Sequence, residues 1–213
     1  MEAFSFSAQT LRVFFAASVA LGCSPGPDNI FVLTQSVLHG RFAGLLETLG
    51  LCTGLIVHTA LVAVGVAAAI AASATAFAAI KFAGAAYLCF LAWRAFRASA
   101  RPTTDCRSVT AGAGRLYARG VIMNLSNPKV GVFFLAFLPQ FVDPVRGPVS
   151  AQIAVLGMVF IVAALLVFGA IAWFSGAIGE KFRSSPGARK FLNRVAGTVF
   201  IGLAARLILT ELT

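Results

Sequence analysis

The hydrophobic residues of this chain are grouped into six long, nearly continuous runs. A run needs about 20 residues to cross a bilayer as a helix, whereas a barrel strand alternates apolar and polar residues with a period of two. The runs therefore predict an all-α membrane protein with a single integral membrane domain over residues 1–213. The predicted transmembrane helices are residues 10–38, 42–72, 77–96, 116–141, 149–178 and 191–209.

The first and fourth helices are interrupted by polar segments, residues 23–29 and 124–129. Proline cannot donate a backbone hydrogen bond and clashes with the preceding turn, so Pro25 and Pro27 break the first helix. Gly26, between the two prolines, permits an irregular backbone. The sequence thus predicts that helices 1 and 4 are each built from two half-helices.

Both interruptions suit the start of a new half-helix. Asp28 and Asn29 follow the first break, and in the second break Asn127 is a good N-cap with Pro128 at the first helical position. A helix N-terminus carries unpaired N–H groups and about half a positive charge. Within a membrane such groups require a protein-lined, wet cavity, and a carboxylate is a natural partner for them.

The two halves of the chain resemble each other. Residues 83–88 match residues 196–201, and Pro25 aligns with Pro128. Three helices per half is an odd number, so two such halves must lie in opposite orientations, as in the inverted repeats of secondary transporters. We therefore expect two inverted three-helix repeats, which comprise about residues 1–100 and 110–213.

The composition supports a membrane protein. Hydrophobic residues make up 59% of the chain and charged residues 11%, with a mean hydropathy of +0.91. A soluble domain carries about 25% charged residues, and a disordered chain needs low hydrophobicity, so both classes are excluded.

The net charge of +10 is distributed unevenly across the predicted membrane. Four basic residues fall on one side, Arg12, Lys81, Arg146 and Arg206. Twelve fall on the other, namely Arg41, Arg94, Arg97, Arg101, Arg107, Arg115, Arg119, Lys181, Arg183, Arg189, Lys190 and Arg194. The positive-inside rule places the second side in the cytoplasm and both termini outside. The charge thus reflects topology and not nucleic-acid binding, and no cleaved signal peptide is predicted.

The breaks carry two ionisable groups, Asp28 and Lys129, which are costly at the bilayer centre. If they face each other, they can pair in an empty site, and an α-amino acid could replace that pair. Its ammonium would bind Asp28, and its carboxylate would bind Lys129 and the helix N-termini. The alternatives are a structural ion pair or a Lys129 that extends to the interface. The predicted substrate-binding residues are Pro25, Gly26, Pro27, Asp28, Asn29, Asn127, Pro128 and Lys129.

The second helix carries two further polar groups, Glu47 and His58, on the face that also bears Gly50 and Gly54. The G-x-x-x-G spacing permits close helix contact, within a protomer or between protomers. A proton-coupled transporter needs a titratable group in the membrane, and Asp28, His58 and Glu47 are the candidates. Glu47 lies close to Arg41 in sequence, so a structural or interfacial role is the favoured alternative.

Other chemistry finds no support in the sequence. The cysteines lack C-x-x-C spacing and a histidine cluster, so neither a metal site nor a redox pair is predicted. No phosphate loop, nucleophile elbow or H-E-x-x-H motif occurs. We expect no cofactor and no enzymatic activity.

Several motifs together resemble the lysine exporter / homoserine-resistance (LysE/RhtB) translocators. The resemblance covers essentially the whole chain and rests on P-G-P-D at 25–28, N-P-K at 127–129, Gly50 with Gly54, A-G-x-x-Y-L at 83–88 and L-P-Q-F at 138–141. It implies a bacterial inner-membrane exporter of amino acids or close derivatives, driven by an ion gradient. Glu47 is not part of the pattern associated with the family.

We therefore expect a multi-pass secondary transporter that exports an amino acid by alternating access, with H⁺ as the coupling ion. Its partners are the amino-acid substrate and the lipid bilayer, and the sequence leaves homo-oligomerisation open. Two alternatives remain at this stage. An inorganic cation exporter would favour several carboxylates in the membrane, where only Asp28 and Glu47 are available. A non-transporting membrane scaffold or an intramembrane enzyme would need neither the inverted repeat nor the matched breaks.

Overall fold

A computed structural model describes residues 6–24, 26–72 and 112–175, together with single positions between 75 and 97 and between 187 and 205. Pro25 and most of the predicted third and sixth transmembrane helices lie outside the described residues. The predicted similarity between residues 83–88 and 196–201 falls largely on these residues and stays a prediction.

The described chain is helical, as the sequence predicts, and it contains no strand within these residues. The α-helix Pro128–Val132 is followed by a π-helical turn, Phe133–Phe137, and by two 3₁₀ turns, Leu138–Phe141 and Pro144–Arg146. The α-helices are α1 Ala8–Cys23, α2 Pro27–His39, α3 Arg41–Ala72, α4 Ala113–Leu125, α5 Pro128–Val132 and α6 Val149–Trp173.

The predicted interruptions of the first and fourth helices are confirmed. α1 ends at Cys23 and α2 begins at Pro27, while α4 ends at Leu125 and α5 begins at Pro128. The chain bends by 50° at the second break. In each case a proline occupies the first helical position, where its missing N–H costs nothing.

The proline that starts the new half-helix at the first break lies two residues after the one that the predicted alignment pairs with Pro128. Pro27, and not Pro25, has the helical position of Pro128. The reason is that Ser24 and Gly26 are both extended, so the new helix starts only at Pro27. Asp28 and Lys129 consequently occupy the same second position of their half-helices.

Two of the described helices are long and apolar enough to cross a membrane, Arg41–Val66 and Val149–Trp173. The bent pair Ala113–Leu125 and Pro128–Phe141 adds a third if it forms one span, and Ala8–Cys23 is a shorter apolar helix. A multi-pass arrangement follows for the described chain, whereas the count of six and the inverted repeat stay predictions.

The predicted close contact of the glycine-bearing helix is made within the protomer, between α3 and α4. A Cβ on Gly50 would overlap the carbonyl oxygen of Tyr117, and a Cβ on Gly120 would lie 2.5 Å from the carbonyl oxygen of Glu47. A side chain on Gly54 would meet Asn124. Small residues here let the two helix backbones approach closely.

A cluster of phenylalanines joins α1 to the segment after the second break. Phe14 is fully buried, and its ring packs against Phe133, Phe137 and Phe141 with centroids 6.1, 6.1 and 5.2 Å apart. Such aromatic pairs contribute about 0.5–1.5 kcal/mol each beyond their buried area. The cluster holds the middle of α1 against the segment that follows α5.

Candidate functional site

The two helix breaks meet at one small cavity in the centre of the described helices. Its polar lining comes from the breaks and from Ser18 on α1, and its apolar wall comes largely from α6 and α3. It has about 10 Å³ of space for the centre of a water molecule, so it holds about one water. The lining residues are Ser18, Leu21, Gly22, Asp28, Leu55, Asn124, Lys129, Val130, Phe160, Ala164 and Phe168.

Lys129 reaches from the second break to the first. Its ammonium donates hydrogen bonds to the carbonyl oxygens of Leu21, at 3.1 Å, and Ser24, at 2.9 Å. These carbonyls belong to the C-terminal end of α1, where the helix dipole is negative, so a cation is stabilised there by about 0.3–2 kcal/mol. A Cβ on Gly26 would lie 3.0 Å from the Lys129 Nζ atom, so glycine at this position keeps the approach open.

Two asparagines shape the breaks. The Asn29 side-chain amide donates to the carbonyl oxygen of Gly22 at 2.5 Å, which turns α2 back onto the end of α1. Asn127 is the N-cap of α5, as predicted, and its Oδ1 atom accepts from the backbone N–H of Lys129 at 3.0 Å. Both side chains satisfy backbone groups that the breaks leave without a helical partner.

Asp28 lies across the cavity from Lys129 and is only 2% exposed. Its Oδ1 atom has no hydrogen-bond partner among the described residues, although the side chains of Asn124 and Asn127 lie beside the carboxylate. The direct ion pair considered for the empty site is not formed. Within the described chain the Lys129 ammonium binds the α1 carbonyls instead, and an ion pair joins Asp143 to Arg146 at the surface.

Glu47 is buried inside the protein, and its predicted structural or interfacial role stays a prediction. Its side chain is 0% exposed between α3 and α4, and neither carboxylate oxygen has a hydrogen-bond partner among the described residues. The charged groups that act on it are Arg119 of α4 and Asp28 of α2. A buried ionisable group within a membrane helix marks a functional site by default.

His58 lies at the second break and is engaged there. Its Nε2 atom donates to the carbonyl oxygen of Asn124 at 3.3 Å, and its ring packs on Phe134 with centroids 5.7 Å apart. The carbonyl belongs to the last turn of α4, so His58 supports the end of that helix.

The structure brings the predicted residues of the two breaks together, except Pro25, which lies outside the described residues. Asp28 and Lys129 line the cavity, whereas the other described residues of the predicted set do not: Gly26, Pro27, Asn29, Asn127 and Pro128. Pro27 and Pro128 start the half-helices. Sequence reasoning missed the backbone carbonyls that bind Lys129 and the wall from α6, Phe160, Ala164 and Phe168. Asn124 did carry a signal, since it opens the second polar interruption.

Known proteins match this chain along most of its length. A family model described as LysE type translocator matches residues 19–211. A homoserine/homoserine lactone efflux protein from Salmonella typhimurium is 35% identical over 194 residues, which are 91% of this chain and 93% of that protein. A protein of the same name from Salmonella typhi has the same identity and coverage.

An uncharacterized membrane protein from Vibrio cholerae is 33% identical over 190 residues, 89% of this chain and 91% of that protein. No solved structure matches the chain at a significant level. The matched family consists of translocators, which are transporters and not enzymes. The family resemblance predicted from the sequence motifs is confirmed, and the chain belongs to the LysE type translocator family of membrane transport proteins.

Proposed function

We propose that this protein exports a small amino acid or a close derivative across the bacterial inner membrane. The observation that carries the proposal is the meeting of Asp28 and Lys129, from two separate helix breaks, at one cavity. Discontinuous helices build substrate sites of this kind in secondary transporters. Two relatives that cover most of the chain are named homoserine/homoserine lactone efflux proteins, which supports homoserine as the first substrate to test.

The proposed site binds the substrate ammonium at Asp28, with Lys129 and the breaks on the opposite side. An amino acid is much larger than the one water that the cavity holds, so the helices around it must separate to admit a substrate. Such widening toward one side of the membrane at a time is the movement that alternating access requires. The α3–α4 glycine contact and the α1 phenylalanine cluster remain packed while the breaks open.

We also propose that export is coupled to H⁺ and that Glu47 is the leading coupling residue. Glu47 is buried with two unpaired oxygens, whereas His58 already binds the α4 carbonyl of Asn124. Asp28, the third candidate, has its own role in substrate binding. The whole chain forms one domain of two inverted repeats in this proposal, with both termini in the periplasm.

The test is counterflow of labelled homoserine in liposomes that contain the purified protein. Asp28→Asn and Lys129→Met each remove a buried charge from the site, and loss of a charged hydrogen-bonding group is expected to lower counterflow by about tenfold to a hundredfold. Asp28→Ala and Lys129→Ala, which also shorten the side chain, are expected to lose export as well, while membrane insertion is retained. Asp143→Asn is the matched control, because Asp143 lies on the surface beside Arg146.

Counterflow in the wild type and in the Asp143→Asn protein, with loss in both site variants, supports the proposal. Equal counterflow in the wild type and in every variant would overturn the assignment of the site. If no amino acid of a broad panel is exchanged while an inorganic cation is, the cation exporter is the better description.

A further inference from the structure

We propose that the cavity recognises its substrate through a primary ammonium group and does not require a carboxylate, so that small primary amines are carried alongside amino acids. This inference rests on the proposed transport function, and it assigns different roles to the two charged residues of the site. Asp28 is the binding group, and Lys129 is a positioning residue that holds the two breaks together.

The first argument is that the hydrogen-bonding capacity of Lys129 is largely used within the protein. An ammonium has three N–H donors, and two of them bind the carbonyl oxygens of Leu21 and Ser24. The negative end of the α1 dipole further balances its positive charge. The Leu21 carbonyl also accepts from the Ser24 N–H, but a substrate carboxylate that recruited Lys129 would take the ammonium away from the carbonyl of Ser24, and a lost partner in a buried site is costly.

The second argument is that the free polar atoms of the cavity are acceptors. Asp28 and Asn124 both line it, and the Oδ1 atom of each has no hydrogen-bond partner among the described residues, although that of Asn124 lies close to Gly54 of α3. Asp28 is 2% exposed and Asn124 is 1% exposed. A primary ammonium would supply a positive charge and three donors to these acceptors, and it would replace the water that the cavity can hold.

The third argument concerns the helix N-terminus that a carboxylate could otherwise use. The first position of α2 is Pro27, which has no N–H, and the second is Asp28 itself. An anion approaching this end of α2 would therefore meet the Asp28 carboxylate. At α5 the N-terminal N–H of Lys129 is already bound by Asn127 Oδ1. The side-chain amide nitrogen of Asn127, a donor with no partner among the described residues, lies beside the Asp28 carboxylate, so a substrate carboxylate that approached it would meet a like charge.

The remaining wall suits an uncharged body. Leu55, Val130, Phe160 and Phe168 surround the polar groups, and in the described lining the charges are those of Asp28 and Lys129. A second charge on the substrate would thus be buried without a matched partner, which is unfavourable. A small amine with a short neutral chain meets all of these conditions.

The experiment uses wild-type protein in liposomes and a matched set of homoserine analogues. 3-Amino-1-propanol is homoserine without its carboxylate, and 4-hydroxybutyrate is homoserine without its ammonium. Each is added as an unlabelled competitor of labelled homoserine counterflow. Loss of a hydrogen bond to a charged group weakens binding by about tenfold to a hundredfold.

We expect 3-amino-1-propanol to compete within about threefold of homoserine, and 4-hydroxybutyrate to compete at least about tenfold more weakly. Equal or stronger competition by 4-hydroxybutyrate would overturn the inference. The same compounds are also tested for their effect on the melting temperature of the purified protein, since a ligand that binds the folded state stabilises it.

The melting measurement separates the two proposals. If homoserine is not exchanged but homoserine and 3-amino-1-propanol both stabilise the protein, the transport function fails while ammonium recognition stands. If 4-hydroxybutyrate stabilises the protein as well as 3-amino-1-propanol does, or if none of the three compounds stabilises it, ammonium recognition is wrong. Loss of stabilisation by 3-amino-1-propanol in Asp28→Asn, but not in Asp143→Asn, locates the effect at the cavity.

Discussion

At the scale of single residues, the most unusual side chain is Glu47. It is completely enclosed between α3 and α4, and both of its oxygens lack a hydrogen-bond partner among the described residues. A buried polar group without a partner costs stability, so a purely structural role does not account for it. The proposed role, uptake and release of H⁺ during transport, would account for it.

This leads to a prediction for Glu47→Gln, which keeps the shape of the side chain and removes its titration. We expect the variant to exchange homoserine in counterflow at nearly the wild-type rate, because counterflow needs no net movement of H⁺. Export driven by a pH gradient should fall to the level measured without a gradient. Undiminished gradient-driven export by Glu47→Gln would exclude Glu47 as the coupling residue.

At the scale of helices, the contact between α3 and α4 determines where Glu47 and Asn124 lie. Gly50 and Gly120 permit this contact, because a Cβ at either position would meet the backbone of the other helix. Gly65 is also on α3, but a Cβ there would meet nothing within 4 Å. The same helix thus provides a sensitive glycine and a matched control.

We predict that Gly50→Ala destabilises the protein by about 1–3 kcal/mol, the usual cost of overpacking. At about 2–4 °C per kcal/mol for a chain of this size, the apparent melting temperature in detergent falls by several degrees. Gly65→Ala should leave it unchanged or raise it slightly, because alanine favours helix more than glycine does. Equal melting temperatures for the two variants would contradict the packing described here.

At the scale of the whole molecule, the charge distribution predicts the orientation in the membrane. Twelve basic residues lie on the predicted cytoplasmic side and four on the other, and in the structure Arg41 stacks on Trp173 at 4.4 Å. This contact joins the start of α3 to the end of α6, which the predicted topology places on the same side. Arginine and tryptophan are both typical of the membrane interface.

We predict that alkaline phosphatase fused to the C-terminus is active, because six spans and the positive-inside rule place that terminus in the periplasm. A fusion after residue 105, within the arginine-rich segment, should be inactive and serves as the control. An inactive C-terminal fusion with an active fusion at residue 105 would reverse the orientation. Activity of both would mean that the span count differs from six.

Much of the candidate site could be predicted from the sequence, because its residues break a pattern. Asp28 and Lys129 are ionisable groups within apolar runs, and each follows a proline that must interrupt a helix. The structure confirms both interruptions, and it shifts the equivalence of the prolines from Pro25 to Pro27. That shift depends on where extended backbone ends, which residue types specify only loosely.

The partners of these residues could not be predicted. The acceptors for Lys129 are backbone carbonyls of Leu21 and Ser24, and every residue has such a carbonyl, so no sequence signal distinguishes them. The sequence also gives no signal for the α6 residues that line the cavity, since Phe160 and Phe168 resemble any other apolar residue of a membrane helix. The burial of Glu47 depends on Gly120, which lies far away in sequence.

The sequence by itself determined that the apolar runs lie in lipid, that they are helical and that two of them are interrupted. It also determined the uneven distribution of basic residues between the two predicted sides. Each of these follows from local composition, since a long apolar run can satisfy its backbone in lipid only as a helix and proline ends that helix wherever it occurs. Tertiary structure alone decided that the breaks share a cavity and that Lys129 binds the end of α1. It also decided that the Asp28 Oδ1 atom and both Glu47 carboxylate oxygens have no hydrogen-bond partner among the described residues. These are contacts between distant segments, and they depend on how closely the helices pack.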